Sequence, residues 1–169
     1  MIGGKQGSVG GVEAEGSCHE SQVGDRWASD EPGDAVERLR VGAGGTQFQP
    51  GLRILLLADD PDLGDWLLEE VKQVGCIVAL ATLGKDGMKL IGSGLVDVVI
   101  SEMGLADLPG MDLLRELQAM PKKPKVILTT NRHSEFLAAR AIANGASAVV
   151  CEPFRMEQLL AAIVRSLVN

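Results

Sequence analysis

The stretch that decides the fold is Leu95–Gly110, which reads LVDVVISEMGLADLPG. Its apolar, mostly β-branched run ends at Ser101 and Glu102, and the residues that follow contain glycine and proline. This pattern predicts a β-strand that is buried on both faces and has Glu102 at its carboxyl end. Ligands bind at that edge of an open parallel sheet. Glu102 is therefore the first candidate for a functional residue.

The same alternation of a strand and a helix repeats along the chain. Leu52–Ala58 is a second buried run that ends in two carboxylates, and Pro61 is well placed to begin a helix that stops at Gly75. The other predicted strands are 76–81, 95–101, 126–130 and 148–151, and the other predicted helices are 84–91, 111–120, 134–144 and 156–167. Five such units predict an α/β fold: a doubly wound, five-stranded parallel sheet of flavodoxin-like order 2-1-3-4-5, with helices on both faces.

Composition limits the class of protein. The 169 residues are 46% apolar and only 3% aromatic, which predicts one aliphatic core. A net charge of −7 argues against binding to nucleic acid or to an anionic membrane. We find no apolar run long enough to span a membrane, no signal peptide, and no cysteine spacing typical of a disulfide framework or a zinc site. We therefore expect a cytoplasmic protein.

The first 50 residues differ from the rest of the chain. They hold 11 of the 21 glycines, carry scattered acidic charge and show no sustained periodicity. This composition predicts a disordered, Gly-rich acidic tail over 1–50 and one folded domain over 51–169. A short helix over Asp34–Val41 is compatible with the pattern. A segment that orders on contact with a partner, and a start codon assigned too far upstream, are the alternatives.

Several motifs occur in order and at regular spacing within the predicted domain. They are Ile54–Pro61, Ala81–Ile91, Asp97–Gly110, Thr129 and Thr130, Gly145–Ser147, and Pro153–Phe154. Together they resemble the receiver domain of two-component response regulators over 52–169. The resemblance implies an acidic pair that binds Mg²⁺, an aspartate that accepts a phosphoryl group, a hydroxyl that responds to it, and a lysine that neutralises its charge.

Two of those positions carry unusual residues. Glu102 stands at the phosphoacceptor position, and its carboxylate is one methylene farther from the backbone than that of aspartate. Glu152 stands at the lysine position, where an anion removes the stabilising charge and adds repulsion. Glu102 is compatible with a permanent mimic of the phosphorylated state, with a site that has lost its function, or with residual phosphorylation.

The predicted metal site is also incomplete. Ala58 replaces the first acid, which leaves Asp59, Asp60 and Glu102 as candidate ligands for weakly bound Mg²⁺, or for none. With Glu152 these residues form a candidate cluster of four carboxylates. Such a cluster either binds a divalent cation or raises the pKa of one of its members.

The remaining functional positions of the family are the switch residues. Thr129 and Thr130 both follow the fourth strand, and either can supply the switch hydroxyl. Val149 replaces the aromatic residue that reports phosphorylation. Taken with the altered acceptor, lysine and metal positions, this pattern predicts a degenerate receiver, or pseudo-receiver.

The resemblance also implies how such a protein works. We expect a stand-alone, non-enzymatic signalling module that binds a histidine kinase, a phosphotransfer protein or an effector. The predicted contact faces are the first helix near Trp66, and the fourth helix, fifth strand and fifth helix; Arg140, Ala141, Val149 and Arg155 are candidate contacts on the second face. The alternative function is a true phosphoacceptor that uses Glu102 or another acid with a divalent metal.

Overall fold

The computed structural model describes residues 39–42, 45–48 and 51–168. The strands in these residues are β1 (Leu39–Gly42), β2 (Gly45–Phe48), β3 (Arg53–Leu57), β4 (Ile77–Ala81), β5 (Val98–Glu102), β6 (Lys125–Thr130) and β7 (Ala148–Cys151). The helices are α1 (Pro61–Gln73), α2 (Gly84–Gly92), α3 (Gly110–Gln118), α4 (Glu135–Ala143) and α5 (Met156–Val168).

Strands β3 to β7 form one parallel sheet in the order β4-β3-β5-β6-β7. Counted within this sheet, the order is 2-1-3-4-5, and the predicted fold is confirmed. The register pairs Leu57 with Ser101 and Glu102 with Thr129. The carboxyl ends of β3, β5 and β6 therefore lie side by side, and the residues just beyond them share one edge.

The core has two layers, one on each face of the sheet. One layer packs the sheet against α2, α3 and α4, and the other packs it against α1 and α5. The buried members of both layers are aliphatic residues and one cysteine, Cys76. Burial raises the pKa of the Cys76 thiol to about 12, so it remains a neutral core residue.

The central strand β5 begins three residues later than its apolar pattern predicts. The predicted strand starts at Leu95, whereas the ladder starts at Val98. Asp97 explains the difference, because its carboxylate accepts the backbone N–H of Arg53 at 2.9 Å and its own N–H donates to the Arg53 carbonyl at 3.0 Å. This contact fixes the amino end of β5 against the amino end of β3.

Strands β1 and β2 form a separate antiparallel pair, with Leu39 opposite Phe48 and Gly42 opposite Gly45. The predicted helix over Asp34–Val41 is therefore wrong at Leu39–Val41. Two short runs of alternating apolar and polar residues, separated by two residues, are a hairpin pattern that outweighs the weak helical periodicity. Residues 1–38, which hold the rest of that helix and most of the predicted tail, lie outside the described residues.

None of the helices described is both long enough and apolar enough to cross a membrane.

Candidate functional site

The candidate site lies at the carboxyl edge of the sheet. Ala58 directly follows β3 and is 1% exposed, whereas Asp59 and Asp60 after it are exposed. Glu102 is the last residue of β5. Glu152 follows β7, and its backbone N–H donates to the Thr130 carbonyl at 2.8 Å. The sheet thus brings together the residues that the sequence placed at this edge.

Glu102 is the most perturbed acid of the site. Its half-buried carboxyl group lies close to the Asp59 carboxyl group and to the backbone N–H of Asp60, and its Oε1 is buried without a hydrogen-bond partner. Desolvation raises the Glu102 pKa from 4.5 to about 7, and the neighbouring Asp59 carboxyl group and the charge of Glu152 raise it further. The nearby Asp60 N–H opposes the shift. Of the two outcomes predicted for the acidic cluster, the raised pKa of one member is therefore found.

The predicted three-carboxylate metal set is not assembled. Asp60 is the N-cap of α1, where its Oδ1 accepts the N–H groups of Asp62 and Leu63 at 3.0 and 3.4 Å. The Asp59 Oδ2 accepts the Ala106 N–H at 3.1 Å. In the described part of the chain, no group of three His, Cys, Asp or Glu side chains could hold a metal ion. The magnesium site implied by the resemblance does not fit this arrangement, because Asp59, Asp60 and Glu102 do not converge on one point.

Glu152 increases the negative charge of the site. Its charge raises the Glu102 pKa, so the two carboxylates are close enough to repel each other. Within residues 51–168, no lysine or arginine forms an ion pair with Asp59, Glu102 or Glu152. Lys72–Glu69, Lys89–Asp86 and Arg115–Asp112 are ion pairs between neighbours on a helix, away from this site. The site is anionic and uncompensated.

The two candidate switch hydroxyls differ in environment. Thr129 lies opposite Glu102 in the register, and its Oγ1 is buried without a hydrogen-bond partner. The Thr130 Oγ1 accepts the Arg132 N–H at 3.1 Å. Because side chains alternate along a strand, Thr129 lies on the same face of the sheet as Glu102, and Thr130 lies on the face of Val149. The structure thus separates two residues that the sequence could not distinguish.

A shallow groove of about 390 Å³ lies beside the acidic site. Its lining residues come from α1 and from the segments after β6 and β7, and they are Leu63, Trp66, Asn131, Glu152, Pro153 and Phe154. The rings of Trp66 and Phe154 are in contact, with 5.8 Å between their centroids and an interplanar angle of 48°. Glu152 belongs to both the groove and the acidic site and joins them.

Asp107 is a structural residue of the site that sequence reasoning missed. Its two carboxylate oxygens accept the N–H groups of Gly84 and Lys85 at 2.8 and 3.1 Å, which caps α2 from another loop. The hydrogen bond from the Gly84 N–H lowers the Asp107 pKa most, and the bond from the Lys85 N–H lowers it further. The partners lie 23 and 22 residues away in the chain, so no local capping pattern could reveal the contact.

The residues predicted for the second contact face are only partly accessible. Ala141 is 0% exposed and packs in the core, so its prediction as a partner contact is wrong. Ala141 lies on the side of α4 that faces the sheet. Arg140 is exposed, and its guanidinium lies 5.7 Å from the centroid of the Phe136 ring. Val149 is half-buried and Arg155 is exposed.

Known proteins of one family share this sequence pattern and fold. The family described as "Response regulator receiver domain" matches residues 54–164. The chain is 29% identical over 110 residues to the transcriptional regulatory protein QseB of Escherichia coli O157:H7, an alignment that covers 65% of this chain and 50% of QseB. It is 27% identical over 112 residues to CusR of Escherichia coli K12, covering 66% and 49% of the two chains.

The fold also matches that of a solved receiver domain. A receiver domain protein from Clostridium thermocellum superposes with a TM-score of 0.64 at 25% identity, covering 69% of this chain and 94% of that one. The chain spans about half the length of the curated relatives that it matches. The family match covers well over half of the chain and all five units of its sheet. The chain belongs to the response regulator receiver domain family.

Proposed function

We propose that this receiver domain is a pseudo-receiver, which is not phosphorylated in the usual way and acts in a two-component pathway by binding a protein partner. The observation that carries the proposal is the group of carboxyl side chains without a paired cation at the phosphoacceptor position. Glu102 lies beside Asp59 and Glu152, and no lysine or arginine of residues 51–168 pairs with any of the three.

Phosphoryl transfer requires positive charge beside the acceptor. Catalysis of that reaction consists mainly of positioning and of neutralising the negative charge on the phosphoryl oxygens. A phosphoryl group on Glu102 would instead bring further negative charge next to two carboxylates. The pKa of about 7 also leaves Glu102 largely protonated below neutral pH, which weakens it as a nucleophile.

The metal arrangement supports the same conclusion. The buried Ala58 supplies no ligand where the family has an acid, and the Asp60 carboxylate caps α1. In this proposal the domain has no enzymatic turnover of its own and is cytoplasmic. Its partner is a histidine kinase, a phosphotransfer protein or an effector, bound at α1 or at the face formed by α4, β7 and α5.

Amide NMR of the full chain tests the proposal. Spectra are recorded with Mg²⁺, before and after addition of beryllofluoride, and intact mass is measured after incubation with acetyl phosphate. We expect no shift at Asp59, Glu102 or Thr130 and no added phosphoryl mass. Site-specific shifts with an added phosphate would overturn the proposal and establish the phosphoacceptor alternative.

A repaired variant provides the positive control. The triple substitution Ala58→Asp, Glu102→Asp and Glu152→Lys restores the acid, the acceptor and the cation of the family pattern. We expect this variant to respond to beryllofluoride under the same conditions. A response in the variant and none in the native chain attributes the loss of phosphorylation to these three positions.

A further inference from the structure

The groove beside the acidic site combines two kinds of surface. Trp66 and Phe154 supply an aromatic wall, and Trp66 is still 39% exposed although it contacts Phe154. Glu152 supplies a carboxylate at the same groove. An aromatic face next to a carboxylate is a favourable environment for a cation that has an apolar stem or a flat face.

The charge around the groove also favours a cation. Glu152 lies near enough to Glu102 to raise its pKa and forms no ion pair within residues 51–168. The whole chain carries a net charge of −7. A cation that enters the groove would meet the Glu152 carboxylate and two aromatic rings, with the acidic site beyond Glu152, and these surroundings disfavour an anion.

We propose that this groove, formed by Leu63, Trp66, Asn131, Glu152, Pro153 and Phe154, binds an arginine side chain presented by a protein partner. The proposal rests on the proposed function, since it specifies how a partner engages the α1 side of the domain. The guanidinium stacks on the Trp66 and Phe154 rings and pairs with Glu152. The partner thereby supplies the positive charge that the site itself lacks.

Arginine fits the groove better than a metal ion or a lysine does. A metal ion needs several oxygen ligands in one shell, and the described residues contain no such group. An ammonium is a compact, strongly hydrated point charge, whereas a guanidinium is flat, weakly hydrated and able to stack on a ring while it pairs with a carboxylate. The groove is open and shallow, so a side chain on a protein segment can reach it from solvent.

The test uses a short peptide as the probe. Acetyl-Leu-Arg-Leu-amide and the same peptide with neutral citrulline in place of arginine are titrated into the full chain. A Trp27→Phe substitution leaves Trp66 as the sole tryptophan, so that its fluorescence reports occupancy of the groove, and amide NMR locates the contact. We expect the arginine peptide to bind about fivefold more tightly than the citrulline peptide.

Two matched variants isolate the carboxylate. Glu152→Lys should abolish the preference for arginine, whereas Glu116→Lys, the same charge change at an exposed position of α3 on the opposite face of the sheet, should retain it. Equal binding of the two peptides, a preference that survives Glu152→Lys, or no binding of either peptide would each overturn the inference.

This result is independent of the phosphorylation test. If the arginine preference is missing while the native chain remains inert to beryllofluoride, the inference fails and the pseudo-receiver proposal stands. A response to beryllofluoride overturns the pseudo-receiver proposal whatever the peptides do.

Discussion

Glu102 and Thr129 lie directly opposite each other on β5 and β6, and each has a buried oxygen without a hydrogen-bond partner. A buried polar atom that has lost its hydrogen bond to water destabilises the folded state. The acidic site therefore costs the domain stability. Substituting each residue should therefore change the free energy of unfolding by a measurable amount.

The first prediction concerns the two threonines after β6. Thr129→Val replaces a buried, unpartnered hydroxyl by a methyl group of similar size, so we expect the free energy of unfolding to rise by about 0.5–1 kcal/mol. Thr130→Val removes the acceptor of the Arg132 N–H, and we expect a loss of about 1 kcal/mol. Urea unfolding of both variants gives the two values. A loss of stability in Thr129→Val would show that its hydroxyl has a partner in solution.

The second prediction concerns pH. The folded chain holds the Glu102 proton up to about pH 7, whereas the unfolded chain releases it near the ordinary value of 4.5. The folded state therefore binds more protons in this window, and stability decreases as the pH rises through it. Allowing for solvent screening of the partly exposed carboxyl, the expected decrease is roughly 1 kcal/mol.

Glu102→Gln tests this pH dependence, because glutamine keeps a donor towards Asp59 and does not titrate. We expect the variant to gain stability relative to the native chain as the pH rises from about 4.5 to 7, in parallel urea titrations. Glu116→Gln, at an exposed position of α3, is the matched control and should follow the native curve. Parallel curves for Glu102→Gln and the native chain would show that Glu102 titrates at its ordinary pKa.

The third prediction concerns Glu152→Lys. A lysine at this position replaces a repulsive charge by an attractive one, so we expect the Glu102 pKa to fall and the free energy of unfolding near pH 7 to rise by about 0.5–1 kcal/mol. Side-chain carboxyl ¹³C shifts measure the pKa. Glu116→Lys changes the net charge equally and should leave the Glu102 pKa unchanged. If both variants lower that pKa equally, the effect of Glu152 is one of net charge and not of proximity.

The sheet could be predicted from sequence because each of its strands is a continuous apolar run with a local stop signal. The order of the strands was predicted as the flavodoxin-like order of a doubly wound sheet. The position of Glu102 and Glu152 at the carboxyl edge of the sheet could be predicted, because Glu102 ends one strand and Glu152 directly follows another. The hairpin at Leu39–Phe48 was missed because its strands are short and only weakly apolar.

Contacts between distant residues could not be predicted in the same way. The Asp107 cap on α2 and the contact between Trp66 and Phe154 join segments whose distance is set by packing and not by any local pattern. The N-cap role of Asp60 was not predicted either. An acidic residue followed by proline fits both a metal ligand and an N-cap, and the N–H groups of Asp62 and Leu63 decide for the cap.

The last prediction concerns two glycines at the ends of α2. A Cβ on Gly84 would overlap the Cβ of Leu108, which cannot move without the backbone, and would crowd a Leu105 methyl at 3.1 Å. Gly84→Ala should therefore destabilise the domain by about 1–3 kcal/mol. A Cβ on Gly92 would meet nothing within 4 Å, so Gly92→Ala should stabilise it by about 0.5–1 kcal/mol. Urea unfolding measures both. Equal effects would mean that the loop holding Leu105 and Leu108 yields to an added methyl group, and that its packing against α2 is looser than the structure indicates.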